Sequence, residues 1–206
     1  MGLDLKKRSR RKAERPAEIL DAAYEEFVKH GYAATRLEDV AARAGVTKGT
    51  IYFYFDTKER VFEEMVRHKS HGFLPELQAY KSGLSGSYAE QLRALIMFTF
   101  SHIANDRSAR ETIRFMIADG GRFPGLVERH NAEFVQPLIE TFQSVIDSGV
   151  AAGEFRNAPA ACSTEIVMSP AVLLAVWTLL FGERRQVDLT AFTEASIDLI
   201  MNGLSK

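Results

Sequence analysis

A short stretch, residues 47–55, combines residue types that suit contact with a nucleic acid. If the stretch is helical, Ile51 and Phe55 lie about one turn apart on one side, which predicts that this side faces a core. The opposite side then carries one basic residue, one glycine and two aromatic residues: Lys48, Gly49, Tyr52 and Phe53. Rings and a positive charge exposed together on a short helix are typical of a surface that binds a partner.

Each of these side chains matches a chemical feature of duplex DNA. Lys48 can bind a phosphate or a guanine, and the Tyr52 hydroxyl suits a phosphate or a base edge. The Phe53 ring can pack on thymine methyl groups, and Gly49 lets the helix approach the floor of a groove closely. The same pattern also fits an ordinary helical hairpin in which Tyr52, Phe53 and Tyr54 pack against neighbouring helices. The pattern alone leaves both interpretations open.

The residues around this stretch predict a helix-turn-helix. A short helix is expected to begin after Thr35, which forms a capping box with Glu38, and to end at Gly45. Thr47 is then a candidate N-cap for the next helix. A tight turn between two short helices leaves the second one protruding, so that it can enter a major groove.

Charge is distributed unevenly along the chain. Residues 1–60 carry a net charge of +3 and the remainder −4, although the whole chain carries only −1. The basic excess is greatest in an N-terminal arm that includes Arg8, Arg10, Arg11 and Lys12. A basic arm on an otherwise acidic chain predicts contact with a polyanion, although a solvated tail has the same composition.

Residues 15–65 contain a series of motifs in fixed register. They are Ile19-Leu20-Asp21-Ala22-Ala23, Phe27, Gly31-Tyr32-Ala33-Ala34-Thr35, the run from Val40 to Phe55, and Lys58-Glu59. This series resembles the DNA-binding domain of TetR-type (TetR/AcrR) transcriptional regulators. The resemblance implies an all-α protein of about nine helices, in which a three-helix helix-turn-helix domain precedes a larger helical ligand-binding and dimerisation domain. It also implies a homodimeric repressor that leaves a near-palindromic double-stranded DNA operator when a small-molecule effector binds.

The resemblance implies specific DNA-contacting residues in this chain. The matching residues are Thr35, Thr47, Lys48, Gly49, Tyr52, Tyr54 and Lys58. Phe53 stands where the family varies, which implies a role in operator preference. Arg36 departs from the usual Ser or Thr, so we expect Thr35 to cap the helix and Arg36 to contact a phosphate. The resemblance also implies that the basic arm lies in a minor groove beside the half-site, where narrow A·T-rich DNA favours arginine.

The expected layout has three parts: a disordered basic arm over 1–14, the helix-turn-helix domain over 15–60, and the second domain over 61–206. The first helix is expected to open near Pro16, a favourable first-turn residue. Later helices are expected at 58–80, 87–105, 108–119, 124–150, 158–181 and 188–202. The helix over 161–181 is apolar nearly all round, which predicts burial on several sides. The resemblance implies that the last two helices pair with their copies in a dimer, although both would also suit an intrachain core.

A ligand pocket is expected between the central helices, where helical bundles build such sites. Its candidate lining residues are large and apolar, or polar and able to orient a ligand: Phe98, His102, Arg114, Phe115, Met116, Phe134, Leu138 and Trp177. The same residues also suit an ordinary core. Their composition favours a hydrophobic or aromatic effector and does not name it.

Other classes of function find little support. Cys162 is the only cysteine, so neither an intrachain disulfide nor a cysteine cluster for a metal can form. His68 and His71 have metal-ligand spacing but no evident third ligand, and we predict no metal and no cofactor. The chain has no phosphate-binding glycine loop, nucleophile elbow or HExxH motif, which predicts that it is not an enzyme.

The expected location is the cytoplasm. No apolar segment follows the basic N-terminus, and polar residues interrupt the apolar run near 168–182, so we expect neither a signal peptide nor a membrane span. Two alternatives stay open from the residues alone. One is a helical small-molecule-binding protein or enzyme whose helix-turn-helix is only structural, and the other is a DNA binder of low sequence specificity.

Overall fold

The part of the chain that the structure describes is all-helical, which confirms the predicted fold class. The computed structural model describes residues 2–157, 163–182, 184 and 187–205, and no strand occurs in these ranges. The α-helices are α1 (Gly2–Ala34), α2 (Leu37–Ala44), α3 (Lys48–Tyr54), α4 (Lys58–Ser70), α5 (Phe73–Ser82), α6 (Tyr88–Asn105), α7 (Arg107–Asp119), α8 (Pro124–His130), α9 (Gln136–Ala151), α10 (Ser163–Phe181) and α11 (Leu189–Leu204). They form two units, one ending at Lys69 and the other beginning at Ser70.

The N-terminal unit has a core of aliphatic and aromatic side chains from α1 to α4. Phe27 of α1 and Phe62 of α4 are fully buried, and their ring centroids lie 5.0 Å apart. Tyr32 stacks on Phe27 at 5.9 Å. Burial of each such ring contributes roughly 1.5–3 kcal/mol. Because α4 supplies part of this core, the unit boundary falls after Lys69 and not at residue 60 as predicted.

The first helix begins earlier than predicted. We expected a disordered arm over 1–14 and a helix opening near Pro16, but α1 is helical from Gly2. The arm is rich in Lys and Arg and contains two Leu, all good helix formers, and these residues outweigh the one N–H group that Pro16 lacks. At Gly31 the helix breaks, because φ is 73° there, a conformation that glycine adopts readily.

The C-terminal unit packs α5, α7, α9, α10 and α11 around α6. Leu95 and Phe100 of α6 are buried against Phe142 of α9, Leu174 of α10 and Ile197 of α11 in one contiguous apolar cluster. A capping box fixes the start of α6, since the side chains and backbone N–H groups of Ser87 and Glu90 bond reciprocally. The unit therefore has its own core.

Two predicted helices are divided in the structure. The connecting helix expected at 58–80 is interrupted by a turn at His71–Gly72, where glycine is a poor helix former. The helix expected at 124–150 contains a π-helical turn at Asn131–Val135 between α8 and α9. Pro137 follows this turn, and its ring cannot fit against the carbonyl four residues earlier in a regular α-helix, which explains the wider turn.

The other predicted helix boundaries in the C-terminal unit lie within two residues of the observed boundaries, wherever the structure describes both. The exception is the start of the helix predicted at 158–181. Residues 158–162, which include Cys162, lie outside the described residues, and α10 begins at Ser163.

The helix α10 is less buried than predicted. Val167, Ala171 and Leu174 pack into the core, whereas Leu173 and Leu180 on other sides are exposed. By length and composition, Thr164–Phe181 is apolar enough to cross a membrane, with a mean hydropathy of 1.8, and 28% of this window is buried inside the chain. The prediction of burial on several sides is therefore wrong for the single chain, because only one face of α10 meets neighbouring helices.

Candidate nucleic-acid interface

The recognition-helix candidate α3 has one buried and one exposed side, as predicted. Ile51 is fully buried and Phe55 is nearly so. Tyr52 is 43% exposed and Phe53 is 71% exposed. The alternative in which these two rings pack against neighbouring helices is therefore wrong. Adjacent exposed rings on a helix anchored from behind form a surface suited to a partner.

The turn before α3 is fixed by two local features. Gly45 ends α2 with a φ of 65°, and the N–H of Val46 donates to the Ala41 carbonyl at 2.9 Å. Thr47 caps α3 as predicted, because its hydroxyl oxygen accepts the N–H of Thr50 at 3.2 Å. The hydroxyl oxygens of Thr47 and Thr50 also lie 2.9 Å apart. This turn separates α3 from α2 within very few residues.

A carboxylate of α2 holds the lysine at the start of α3. The Lys48 Nζ donates to the Glu38 Oε1 at 2.6 Å and lies 5.6 Å from the centre of the Tyr52 ring. The hydrogen bond between the ammonium and the carboxylate lowers the pKa of Glu38 and raises the pKa of Lys48. Both groups are therefore charged at neutral pH, and the ammonium lies beside an exposed ring.

Thr35 does not cap α2, contrary to the prediction. Its side chain is only 3% exposed, and its hydroxyl lies within hydrogen-bond distance of the carbonyls of Gly31 (2.7 Å) and Glu26 (3.1 Å). The hydroxyl therefore binds carbonyls at the C-terminal end of α1 instead of the start of α2, and the Gly31 carbonyl also accepts the Thr35 N–H at 3.3 Å. The N-cap residue is Arg36, whose side chain makes no capping bond, so the predicted box with Glu38 does not form.

Two further predicted DNA contacts make interactions within their own unit. The Lys58 Nζ donates to the Ala33 carbonyl at 3.2 Å and lies 4.6 Å from the Tyr32 ring centre. The Tyr54 ring meets the Phe53 ring nearly at a right angle, with centroids 5.0 Å apart. An ammonium has three donors, so the carbonyl contact of Lys58 is compatible with an additional phosphate contact.

A partly buried ion pair, which the sequence patterns did not indicate, joins α1 to α2. The Arg43 Nε donates to the Glu26 Oε1 at 2.6 Å, and the His30 Nε2 lies 3.5 Å from the other carboxylate oxygen. Because Glu26 is buried, its charge needs such partners. The pair helps to hold α2 in place, and the position of α3 depends on α2.

The four basic arm residues, Arg8, Arg10, Arg11 and Lys12, lie on the backbone of α1. Their side chains lie outside the described part of the chain. Contact between this arm and DNA therefore stays a prediction.

The predicted pair of histidines, His68 and His71, does not form part of a metal site in the described ranges. The His68 Nε2 lies 3.2 Å from the Asp21 Oδ1, which also accepts from Lys69 at 2.7 Å. Among the residues that the structure describes, no group of three His, Cys, Asp or Glu side chains is placed to hold a metal ion.

Half of the predicted pocket residues come together in the C-terminal unit. The rings of Phe98 and His102 on α6, and of Phe134 in the π-helical turn, lie 5.9, 4.1 and 6.1 Å from the Phe73 ring of α5. Leu138 belongs to the same apolar cluster. We call these five residues the ring cluster. Sequence reasoning missed Phe73, because it lay within the segment assigned to a continuous connecting helix.

The histidines in and beside the ring cluster are poorly suited to carry charge. Burial lowers the pKa of His102, and burial also lowers the pKa of His130, whose ring stacks on Phe134 at 5.1 Å. Both imidazoles are therefore neutral at pH 7, and the cluster is largely apolar and aromatic.

The structure gives other partners to the remaining pocket candidates. Arg114 lies 4.6 Å from the ring of the buried Phe115 and pairs with an acidic residue of its own helix. Trp177 is exposed on α10 and its ring lies 4.9 Å from that of Phe181. Met116 is half-buried on α7. For Trp177, exposure argues against the predicted place in a pocket of this chain.

Comparison with known proteins covers both units. A profile for bacterial regulatory proteins of the tetR family matches residues 19–65, and one for the C-terminal domain of AefR-like transcriptional repressors matches residues 90–198. The HTH-type transcriptional repressor KstR2 of Rhodococcus jostii (strain RHA1) is 32% identical over 155 residues, which cover 71% of this chain and 70% of that protein.

Solved structures share the fold at lower identity. A transcriptional regulator from Saccharomonospora viridis, in complex with choline, has a TM-score of 0.81 and 18% identity over 94% of this chain and 99% of its own. The transcriptional regulator FadR of Bacillus subtilis, in complex with stearoyl-CoA, has a TM-score of 0.73 and 20% identity over 91% of this chain and 98% of its own.

The family profiles and the relatives confirm the resemblance seen in residues 15–65, and the relatives are regulators. The chain therefore belongs to the TetR family and is a DNA-binding transcriptional regulator.

Proposed function

We propose that the protein is a homodimeric repressor that binds a near-palindromic DNA operator and leaves it when a small hydrophobic or aromatic effector binds. The residues directed at base edges are Lys48, Gly49, Tyr52 and Phe53. The residues directed at phosphates are Arg36, Thr47, Tyr54 and Lys58. In this proposal the protein acts in the cytoplasm, without a cofactor, an enzymatic activity or a membrane partner.

The observation that carries the proposal is the exposed side of α3. Tyr52 and Phe53 project from the helix, and the Tyr52 ring lies beside the ammonium of Lys48, while Ile51 and Phe55 anchor the helix from behind. Cationic and aromatic groups suit guanine and phosphate acceptors and thymine methyl groups. The buried Thr35 is left out of the proposed DNA contacts and is proposed to position α2.

Selection of binding sites from a random duplex library, at fixed physiological salt, tests this function. We expect one dominant near-palindromic site whose half-sites lie about 34–36 Å apart, because the two copies of α3 would occupy successive major grooves. Its affinity should exceed that of a shuffled duplex by at least ~10³-fold. Equal binding to both duplexes would indicate a DNA binder of low specificity, and no binding to either would indicate a structural helix-turn-helix.

The dimer proposal rests on apolar residues that the C-terminal unit leaves exposed. Leu173 is 53%, Leu180 66% and Leu199 74% exposed, on the last two helices of the chain. We call these three residues the dimer face. Exposed apolar surface of this kind is typical of an interface, and a second copy is the partner that the family resemblance implies. Ile197 of the last helix is not part of this face, because it is 2% exposed and belongs to the intrachain core.

Deletion of residues 1–12 tests the basic arm. If its six basic residues bind phosphates, the slope of log affinity against log salt should become shallower by up to ~0.9 for each phosphate that is no longer neutralised. Titrations of the selected operator at several salt concentrations measure this slope. A full-length variant with glutamine at Arg8, Arg10, Arg11 and Lys12 separates removal of charge from removal of chain. An unchanged slope in both variants would identify the arm as a solvated tail.

The ring cluster supports an effector with a large apolar part. Phe73, Phe98 and Phe134 offer aromatic surface, and the adjacent imidazoles are neutral. The neighbouring FadR structure contains stearoyl-CoA, whose acyl chain is such a group. We infer that the effector binds at this cluster and favours the conformation that does not fit the operator.

Linkage gives this inference a quantitative test. If stearoyl-CoA is such an effector, operator DNA should weaken its binding by roughly 5- to 150-fold, the same factor by which it weakens operator binding. Calorimetry with and without operator measures the factor, with coenzyme A and choline as comparison ligands. Phe98→Ala and Phe134→Ala should keep operator binding and lose the response, whereas Ile117→Ala at an exposed site of α7 should keep both. Equal affinity with and without operator would exclude this mechanism.

A further inference from the structure

The contact between Glu38 and Lys48 places a fixed negative charge beside the proposed DNA-reading surface. Glu38 lies in the first turn of α2 and Lys48 in the first turn of α3, and their polar atoms are 2.6 Å apart. Both side chains are solvent-accessible, at 59% and 44% exposure. The pair is therefore open to solvent and to any ligand of α3.

Phosphates and base edges differ in how they tolerate this arrangement. The ammonium of Lys48 has three donors, and Glu38 uses one of them. A phosphate oxygen that approaches the remaining donors is repelled by the neighbouring carboxylate, because both carry negative charge. The O6 and N7 acceptors of guanine carry only partial negative charge and meet much weaker repulsion.

We propose that Glu38 is a positioning residue that directs Lys48 away from DNA phosphates and towards a neutral base acceptor, and that it thereby increases the preference for operator over unrelated DNA. The proposal rests on the proposed role of α3 as the DNA-reading helix. Binding to unrelated sequences depends almost wholly on phosphate contacts, so the repulsion acts mainly there. The hydrogen bond that raises the pKa of Lys48 agrees with a pair that stays charged during binding.

The variant Glu38→Gln tests the proposal, because it removes the charge and keeps the side-chain shape. On a shuffled duplex, we expect the slope of log affinity against log salt to steepen by up to ~0.9, since Lys48 becomes available to a phosphate. Affinity for that duplex should rise by about threefold or more, whereas affinity for the selected operator should change less. The ratio of the two affinities should therefore fall.

Asp39→Asn is the matched control. Asp39 is the next residue in the same first turn and is exposed, and its substitution removes the same charge without touching the ion pair of Lys48. In a Lys48→Gln background, Glu38→Gln should no longer change the slope, whereas Asp39→Asn should act as it does in the native background. The proposal is overturned if Asp39→Asn lowers the ratio as much as Glu38→Gln, or if the effect of Glu38→Gln persists without Lys48.

The Lys48→Gln variant alone tests whether α3 contacts the DNA. Lys48→Gln should reduce operator affinity if α3 reads the DNA, whatever Glu38 does. Unchanged operator binding by folded Lys48→Gln protein would contradict the role of α3 and, with it, this proposal. Weaker operator binding with Lys48→Gln, accompanied by no effect of Glu38→Gln, would overturn the proposal for Glu38 alone.

Discussion

Replacing Leu173 or Leu199 with aspartate is expected to convert the protein into monomers and to weaken operator binding by about 10²- to 10⁴-fold. Both side chains are exposed in the single chain, so the substitution leaves the intrachain core intact. In a dimer, the new carboxylate would be buried against apolar surface, and an unpaired buried charge is strongly unfavourable. A monomer engages one half-site at a time and loses the gain in effective concentration that linked binding gives. Sedimentation and operator titration measure the two effects.

Two further variants make this test specific. Ile117 is also exposed and apolar but lies on α7, outside the dimer face, so Ile117→Asp should remain dimeric with native operator affinity. Ile197→Asp should differ from the Leu173, Leu199 and Ile117 variants, because it places a charge in the intrachain core. It should therefore lower thermal stability. If Leu173→Asp and Leu199→Asp stay dimeric at native stability, the interface lies elsewhere.

Replacing Tyr52 with alanine is expected to reduce operator affinity by roughly 5- to 150-fold, equivalent to ~1–3 kcal/mol. The exposed ring lies next to the ammonium of Lys48, where the two groups would face the same part of the groove. Because Tyr52 contributes little to the core, the melting temperature should change little. Titration of the selected operator at one salt concentration measures the reduction in affinity.

The conservative variant separates two roles of this side chain. Tyr52→Phe removes the hydroxyl and keeps the ring, so an intermediate reduction would assign part of the energy to a hydrogen bond with a phosphate or base. Native affinity in folded Tyr52→Ala protein would place this helix outside the groove.

Local sequence was sufficient for the turn that exposes α3. Gly45 and Thr47 act within one helical turn, through a positive φ and a side-chain cap, and both were predicted from their type and position. The two sides of α3 followed from the spacing of Ile51 and Phe55 in the same way. Such features depend on residues at most five positions apart, so the order of residues contains the information.

Interactions between distant residues had to be seen in the structure. The hydroxyl of Thr35 could bind the backbone either at the start of α2 or at the end of α1. In the structure it lies within hydrogen-bond distance of the carbonyls of Gly31 and Glu26 in α1. The pair between Glu38 and Lys48 spans ten positions and depends on the crossing of α2 and α3.

The same limit applies to the C-terminal unit. An apolar helix such as α10 shows no periodicity that separates core from interface, so the order of residues could not tell that Leu174 is buried while Leu173 is exposed. It likewise could not tell that Ile197 faces the core and Leu199 does not. Residue order was enough to predict the all-α class, the turn before α3 and the family, but not the start of α1 or the breaks at His71–Gly72 and Asn131–Val135. The apolar side chains that remain exposed for a partner became evident from the packed helices, because exposure depends on how whole helices pack and not on neighbours along the chain.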